Sequence, residues 1–211
     1  FPLTDFQRML WSNLKLDKDV VTIAPTSAGK THIILSYLVN KVIKSDGSFA
    51  AIIVPTRALI SEVSSKVFEI AKEVDSENEL EICSVPRDEK FNSKTIFVMT
   101  QERLYELIQR GDLRFDYLFI DEAHNISDDS RGVLLHLTLD KICDESDPQI
   151  IISMPSESYQ NAFSAVFNGV EFKKEITRHS PVAKILLSVV MKGRNIEIER
   201  YNTSDKAVIP K

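Results

Sequence analysis

Residues 24–31 read Ala24-Pro25-Thr26-Ser27-Ala28-Gly29-Lys30-Thr31, between a short apolar run (Val20, Val21, Ile23) and a long one from Ile33 to Ile43. A strand that turns through a loop of small residues into a helix aims successive backbone N–H groups at one point. That point lies at the positive helix end, where a polyphosphate can sit. In this reading Thr26, Ser27, Ala28 and Gly29 form the cradle, Lys30 reaches the β- and γ-phosphates, and the Thr31 hydroxyl holds Mg²⁺. Ala24 departs from the general pattern, which opens with Gly. A Cβ is tolerated there if the loop begins in ordinary strand geometry. The competing reading is a buried helix start with a solvated lysine.

A second motif decides between the two. Phe115-Asp116-Tyr117-Leu118-Phe119-Ile120 reads as a buried strand that delivers Asp121-Glu122-Ala123-His124 at its C-terminal end, where open parallel sheets keep their ligands. Two adjacent carboxylates there can divide the work. Asp121 joins the Mg²⁺ shell, and Glu122 polarises the attacking water. His124 either takes part or fills the turn.

The remaining apolar runs extend the pattern outward. Thr4-Asp5-Phe6-Gln7 opens a helix that Asp17-Lys18-Asp19 ends. Gln7 has two readings: a capping box with Thr4, or an amide that pairs with the edge of adenine. Phe49 to Val54, Glu79 to Ser84, Thr95 to Met99 and Gln149 to Ser153 read as strands, the last ending at Met154-Pro155-Ser156. Helices are predicted from Lys30 to Ile43, through Leu59, Val63, Val67, Ile70 and Val74, after Thr100, through Val133, Leu134, Leu137 and Ile142, and over Glu157 to Phe167. Repeated strand-then-helix units imply an α/β fold, a parallel sheet with helices on both faces. Ala183 to Met191 and Asn195 to Tyr201 are β-rich and meet at Lys192-Gly193-Arg194, which reads as a C-terminal β-hairpin.

Arg57 falls at a strand-to-helix corner beside a helix N-terminus, where it can hold a backbone phosphate or stand as an ordinary surface arginine. Thr100 and Arg103 fall at the same sheet edge, and a line of donors suits the backbone of a nucleic-acid strand. Thr100 equally suits a helix cap.

Composition narrows the classes. A chain of 211 residues can bury one sizeable core with an appended piece. No run approaches the ~20 apolar residues of a membrane span and no leader opens the chain, so no membrane partner is expected. Cys83 and Cys143 make no framework and read as buried thiols in a reducing compartment, cytoplasmic or, in a eukaryote, nuclear. The four histidines, His32, His124, His136 and His179, are too scattered for zinc. A net charge of −5 excludes a protein basic all over, yet a local groove of Lys and Arg still supplies phosphate contacts. Phe1 rather than Met at the start points to an excised fragment.

With these motifs in order (24–31, 55–62, 100–103, 121–124), the chain resembles the first RecA-like motor domain of a superfamily 2 helicase from about Thr4 to Ser156. Pro55-Thr56-Arg57-Ala58-Leu59 and the Arg131-Gly132 pair are similar to the Ski-like branch. The resemblance implies that Lys30 and Thr31 bind MgATP, that Asp121 and Glu122 position metal and water, and that Gln7 reads adenine. It further implies that Arg57, Thr100 and Arg103 touch single-stranded DNA or RNA, and that His124 links the nucleotide site to the strand. Residues 1–180 would be the ATP-binding domain, and 181–211 a β-rich tail or linker toward a second RecA-like domain.

There are departures. Ser153-Met154-Pro155 replaces the usual Ser-Ala-Thr, His136 stands where Ski-like proteins tend to have Glu, and no second P-loop-like domain fits in the remaining ~55 residues. Two rivals follow: a P-loop enzyme acting on a small molecule, and a degenerate module that binds nucleic acid or protein without productive unwinding.

Overall fold

The computed structural model describes residues 3–88, 90–111, 113–125, 129–155, 172–177, 187–192, 195–200 and 206–210. The helix expected over 157–167, Ser156 and the turn at 193–194 lie outside them. Two compact units are present, Phe1–His179 and Ser180–Lys211.

The first unit is built on seven strands: β1 (Val20–Ile23), β2 (Ser48–Ile53), β3 (Glu81–Cys83), β4 (Lys94–Met99), β5 (Tyr117–Ile120), β6 (Gln149–Met154) and β7 (Lys173–Ile176). They form one sheet in the order β3-β4-β2-β5-β6-β1-β7, and every pairing is parallel. The central strands are apolar along their whole length because helices cover both faces. On one face α1 (Asp5–Leu14), α2 (Lys30–Lys44) and α3 (Arg57–Glu73) pack over Ala50, Ile52, Ile96, Val98, Phe119 and Ile151. On the other, α4 (Gln101–Ile108) and α5 (Asp129–Glu145) pack over Ala51, Ile53, Phe97, Leu118, Ile120 and Ile152. This is the RecA-like α/β architecture expected.

Register carries the strand ends to one edge. Ile53 pairs with Met99 and with Ile120, Ile120 with Ile152, and Ile23 with Met154. The loops after β1, β2, β4, β5 and β6 therefore open on the same side, where such sheets hold ligands.

Four expectations need correction. In α5, Val133 and Leu137 are exposed and the buried stripe is Leu135, Thr138, Leu139 and Ile142, the i, i+3, i+4, i+7 set that one helix face requires. β7 was not foreseen. Its Lys173 and Lys174 lie exposed on a sheet edge, so it lacks the apolar signature of the central strands. The second unit is a three-stranded antiparallel sheet, not a bare hairpin: β8 (Leu187–Lys192) and β9 (Asn195–Arg200) pair as expected, and β10 (Lys206–Pro210) adds to β9. Cys83 is buried, but Cys143 is exposed. No helix among the described residues is long and apolar enough to cross a membrane.

A buried polar network fixes the N-terminal strand edge. The Tyr37 hydroxyl donates to Gln149 Oε1 at 2.7 Å and lies 3.1 Å from Asp17 Oδ1. Gln149 Nε2 donates in turn to the carbonyls of Leu14 and Lys18, at 3.1 and 2.7 Å. Burial pushes the Tyr37 phenol far above its ordinary value, so it stays a neutral donor. Tyr37→Phe leaves Gln149 Oε1 buried without that donor and should destabilise the fold by about 1–3 kcal/mol, read as a lower urea midpoint at unchanged slope.

Candidate functional site

The loop after β1 turns into α2 through a single 3-10 turn, Thr26–Ala28, and then Gly29 at φ 76°. That left-handed conformation favours glycine. A Cβ on Gly29 would also lie 2.6 Å from Gln7 Nε2, so the glutamine amide would have to move aside. The first residue of the loop, Ala24, is fully buried and its N–H donates to the Met154 carbonyl at 3.1 Å. It thus continues the β1–β6 ladder, the strand geometry in which a Cβ is harmless.

Lys30 is the first residue of α2 and is 2% exposed. Its Nζ donates to the Ala24 carbonyl at 2.5 Å and the Pro25 carbonyl at 3.3 Å. Burial lowers the ammonium's pKa from its ordinary value, and the negative charges of Glu122 and Asp121 oppose that shift. One helical residue on, Thr31 Oγ1 lies 3.3 and 3.4 Å from the two oxygens of Asp121. Side chains 90 positions apart in sequence thereby meet across β1, β6 and β5.

Asp121 follows β5 and is nearly buried. Its Oδ1 accepts from Ser153 Oγ at 2.6 Å and from the Glu122 N–H at 3.0 Å. Glu122 takes φ 47°, a left-handed conformation that costs a non-glycine residue about 1–2 kcal/mol. The conformation turns its N–H back to the Asp121 carboxylate. Burial, and then the neighbouring Asp121 charge, raise the Glu122 carboxyl above its ordinary value, against Lys30 and His124. His124 lies in the 3-10 turn Ala123–Asn125 with Nδ1 3.4 Å from Glu122 Oε2.

In the sequence Ser153 is a strand end and the first residue of the run that stands in place of Ser-Ala-Thr, with no contact to Asp121 foreseen. The parallel register that pairs Ile120 with Ile152 places Ser153 beside Asp121, so a register argument would have found it. Gln7 satisfies its structural reading fully. Its N–H donates to Thr4 Oγ1 at 3.2 Å, and its Oε1 accepts from the Thr4 N–H at 3.0 Å. Its Nε2 also donates to the Ala28 carbonyl at 3.2 Å, tying α1 to the glycine loop.

The three residues read as strand contacts sit at the neighbouring ends of β2 and β4, but differ in availability. Arg57 begins α3, is exposed, and makes no ion pair among the described residues. Thr100 occupies the N-cap position of α4 without a side-chain cap bond and is buried, so the expected cap is absent. Arg103 Nη1 donates to the Ser84 carbonyl at 2.8 Å, which engages part of its guanidinium with the chain itself.

The donor set fits a nucleotide with magnesium. A hydroxyl and a carboxylate are hard oxygen ligands, and Mg²⁺ is held by one or two such groups plus phosphates and water. Among the described residues no group of three or more His, Cys, Asp or Glu could hold a metal alone. The glycine cradle and the buried ammonium are the parts that a polyphosphate requires.

Comparisons with known proteins agree on the class of the chain. The DEAD/DEAH box helicase family model matches residues 4–172. An ATP-dependent RNA helicase, DBP3 of Saccharomyces cerevisiae, is 32% identical over 130 residues, 57% of this chain and 25% of that protein. DNA polymerase theta of Mus musculus is 33% identical over 131 residues, 60% of this chain and 5% of that protein. The crystal structure of a DEAD box protein from Methanococcus jannaschii shares the fold with a TM-score of 0.62 at 23% identity, over 82% of this chain and 50% of that one. The chain thus matches about a quarter of the length of the RNA helicase.

Proposed function

The chain belongs to the DEAD/DEAH box helicase family, and we propose that it is the first motor domain of an ATP-dependent helicase or translocase. In this reading MgATP binds at the ends of β1 and β5, and the backbone of one nucleic-acid strand binds at the ends of β2 and β4. The observation that carries it is the convergence of buried Lys30 and of Thr31, 3.3 Å from Asp121, on one edge of the sheet. The box residues spell Asp-Glu-Ala-His, and we favour the branch that carries that spelling.

Each residue has a role that its surroundings support. The N–H groups of residues 26–31 and the Lys30 ammonium hold the phosphates, while Gln7 braces the cradle from α1 and presents its amide beside it. Thr31 and Asp121 would hold Mg²⁺, with Ser153 orienting the carboxylate. The chemistry Mg²⁺ supplies in such a site is neutralisation of charge on the phosphate oxygens. Glu122, made more basic by burial, accepts a proton from the attacking water, and His124, 3.4 Å from it, would link it to the bound strand. Residues 181–211 lead toward a second RecA-like domain. That domain would supply the arginine, worth about 10³ to 10⁵ in rate in well-studied NTPases. The chain alone should therefore turn over slowly.

The test is ATP turnover by the full-length protein with and without single strands. Stimulation by the strand is expected, and a rate indifferent to every DNA and RNA tried would instead favour an enzyme acting on a small molecule. Arg57→Ala should weaken strand binding at all sequences alike and reduce the slope of log affinity against log salt by about 0.7, the share of one phosphate contact on a single strand. A second reading, a module that binds without unwinding, is favoured by one feature. Pro155, which follows β6, offers no hydroxyl where helicases of this type usually have threonine.

A further inference from the structure

The sheet of the unit Ser180–Lys211 has two unlike faces. In an antiparallel sheet, residues paired across strands lie on the same face, and so do residues two apart along one strand. Register therefore puts Val189, Ile198 and Ala207 in one row across β8, β9 and β10, with Met191 and Ile196 in the row beside it. All five are apolar. The opposite face is broken up by polar residues, since Glu197 stands between Val190 and Val208, and Ser188 lies two positions before Val190 on β8.

The apolar face is open. Val189 is 61% and Met191 64% exposed, Ala207 is exposed, and Ile196 and Ile198 are half-buried. A small antiparallel sheet with one apolar face is stable when that face is packed on something. Size limits what the cover can be. Three strands ~4.8 Å apart and two rows of side chains give a footprint on the order of 300 Å². Stable complexes between separate molecules bury ~800 Å² on each partner, so a free partner, a second copy included, would be held too weakly here. A body on the same chain needs less area, because a short linker presents it at an effective concentration of order millimolar. The sheet of the first unit already has both of its faces covered by helices.

We propose that this face is the seat of the second RecA-like domain, which packs an apolar surface of its own on Val189, Met191, Ile196, Ile198 and Ala207. The inference rests on the motor reading and adds a named contact to it: β8, β9 and β10 form a bracket for the second domain and not a loose connection to it.

The test is photo-crosslinking in the full-length protein with Val189→p-benzoylphenylalanine, and with Val190→p-benzoylphenylalanine on the opposite face as the control. Irradiation should join position 189 to residues after Lys211 within one molecule, and position 190 should give no such product. Met191→Glu, which sets a charge in the contact, should speed amide exchange in β8 and β9 about tenfold or more, whereas Val190→Glu should leave it unchanged. Cross-links from position 189 to the first unit or to a second copy, equal products from both positions, or equal exchange in the two glutamate variants would each overturn the proposal. Strand-stimulated ATP turnover of the parent protein is measured alongside. If it is present while the cross-link fails, the docking face alone is wrong; if it is absent, the motor reading falls and this inference with it.

Discussion

Lys30→Met in the full-length protein should lower ATP affinity by about 10- to 100-fold while leaving the protein about as stable as before. Methionine keeps most of the stem, one atom shorter, and removes the ammonium with its charge and its donors. Charge-assisted hydrogen bonds to phosphate contribute about 1.5–3 kcal/mol each, and each 1.4 kcal/mol is about tenfold in affinity. The free protein responds differently. Its ammonium is buried, hydrogen-bonded to loop carbonyls and, among the described residues, in no ion pair with a carboxylate. Replacing a buried charge by an apolar group of similar volume is often neutral or stabilising, which offsets the donor that the Ala24 carbonyl loses. Loss of affinity with an undiminished melting temperature therefore separates a phosphate ligand from a lysine that holds the helix start together. Unchanged ATP affinity in this variant would remove the ground for placing a nucleotide here.

The parts of this molecule that could be read from sequence are those whose environment is set locally. β1, β2, β4, β5 and β6 are buried on both faces, so each appears as a continuous apolar run, and the loops that follow them carry the small or acidic residues that a ligand edge needs. What escaped depends on neighbours far along the chain. β7 is charged because it closes an edge, and only its pairing with β1 makes it a strand. The exposed Val133 and Leu137 of α5 mimic a buried stripe, and only packing shows that Leu135 and Leu139 face inward. Ser153 gained its partner through register, and Arg103 lost part of its freedom to a carbonyl 19 residues earlier. The glycine loop was legible because its small residues lie between two apolar runs, and the left-handed φ of 76° at Gly29 accounts for the glycine.

Glu122→Gln in the full-length protein should reduce strand-stimulated ATP turnover by about 10² to 10⁴, the usual worth of a positioned general base, or about 2.7–5.4 kcal/mol in the barrier. ATP should remain bound within a few-fold of the parent affinity. The substitution is nearly isosteric, so the left-handed backbone at this position and its N–H bond to Asp121 are kept. What is lost is a carboxylate whose affinity for a proton is raised by burial and by the like charge of Asp121. An amide cannot take a proton from water at all. Nucleotide affinity should survive because removing one of two adjacent negative charges relieves repulsion against the phosphates, offsetting any contact that Glu122 makes. Single-turnover measurements distinguish this outcome from slow product release, since only a defect in the chemical step lowers the rate of the first turnover. If first-turnover and steady-state rates both match those of the parent, Glu122 is no base, and the chain is better described as a motor fold kept for binding.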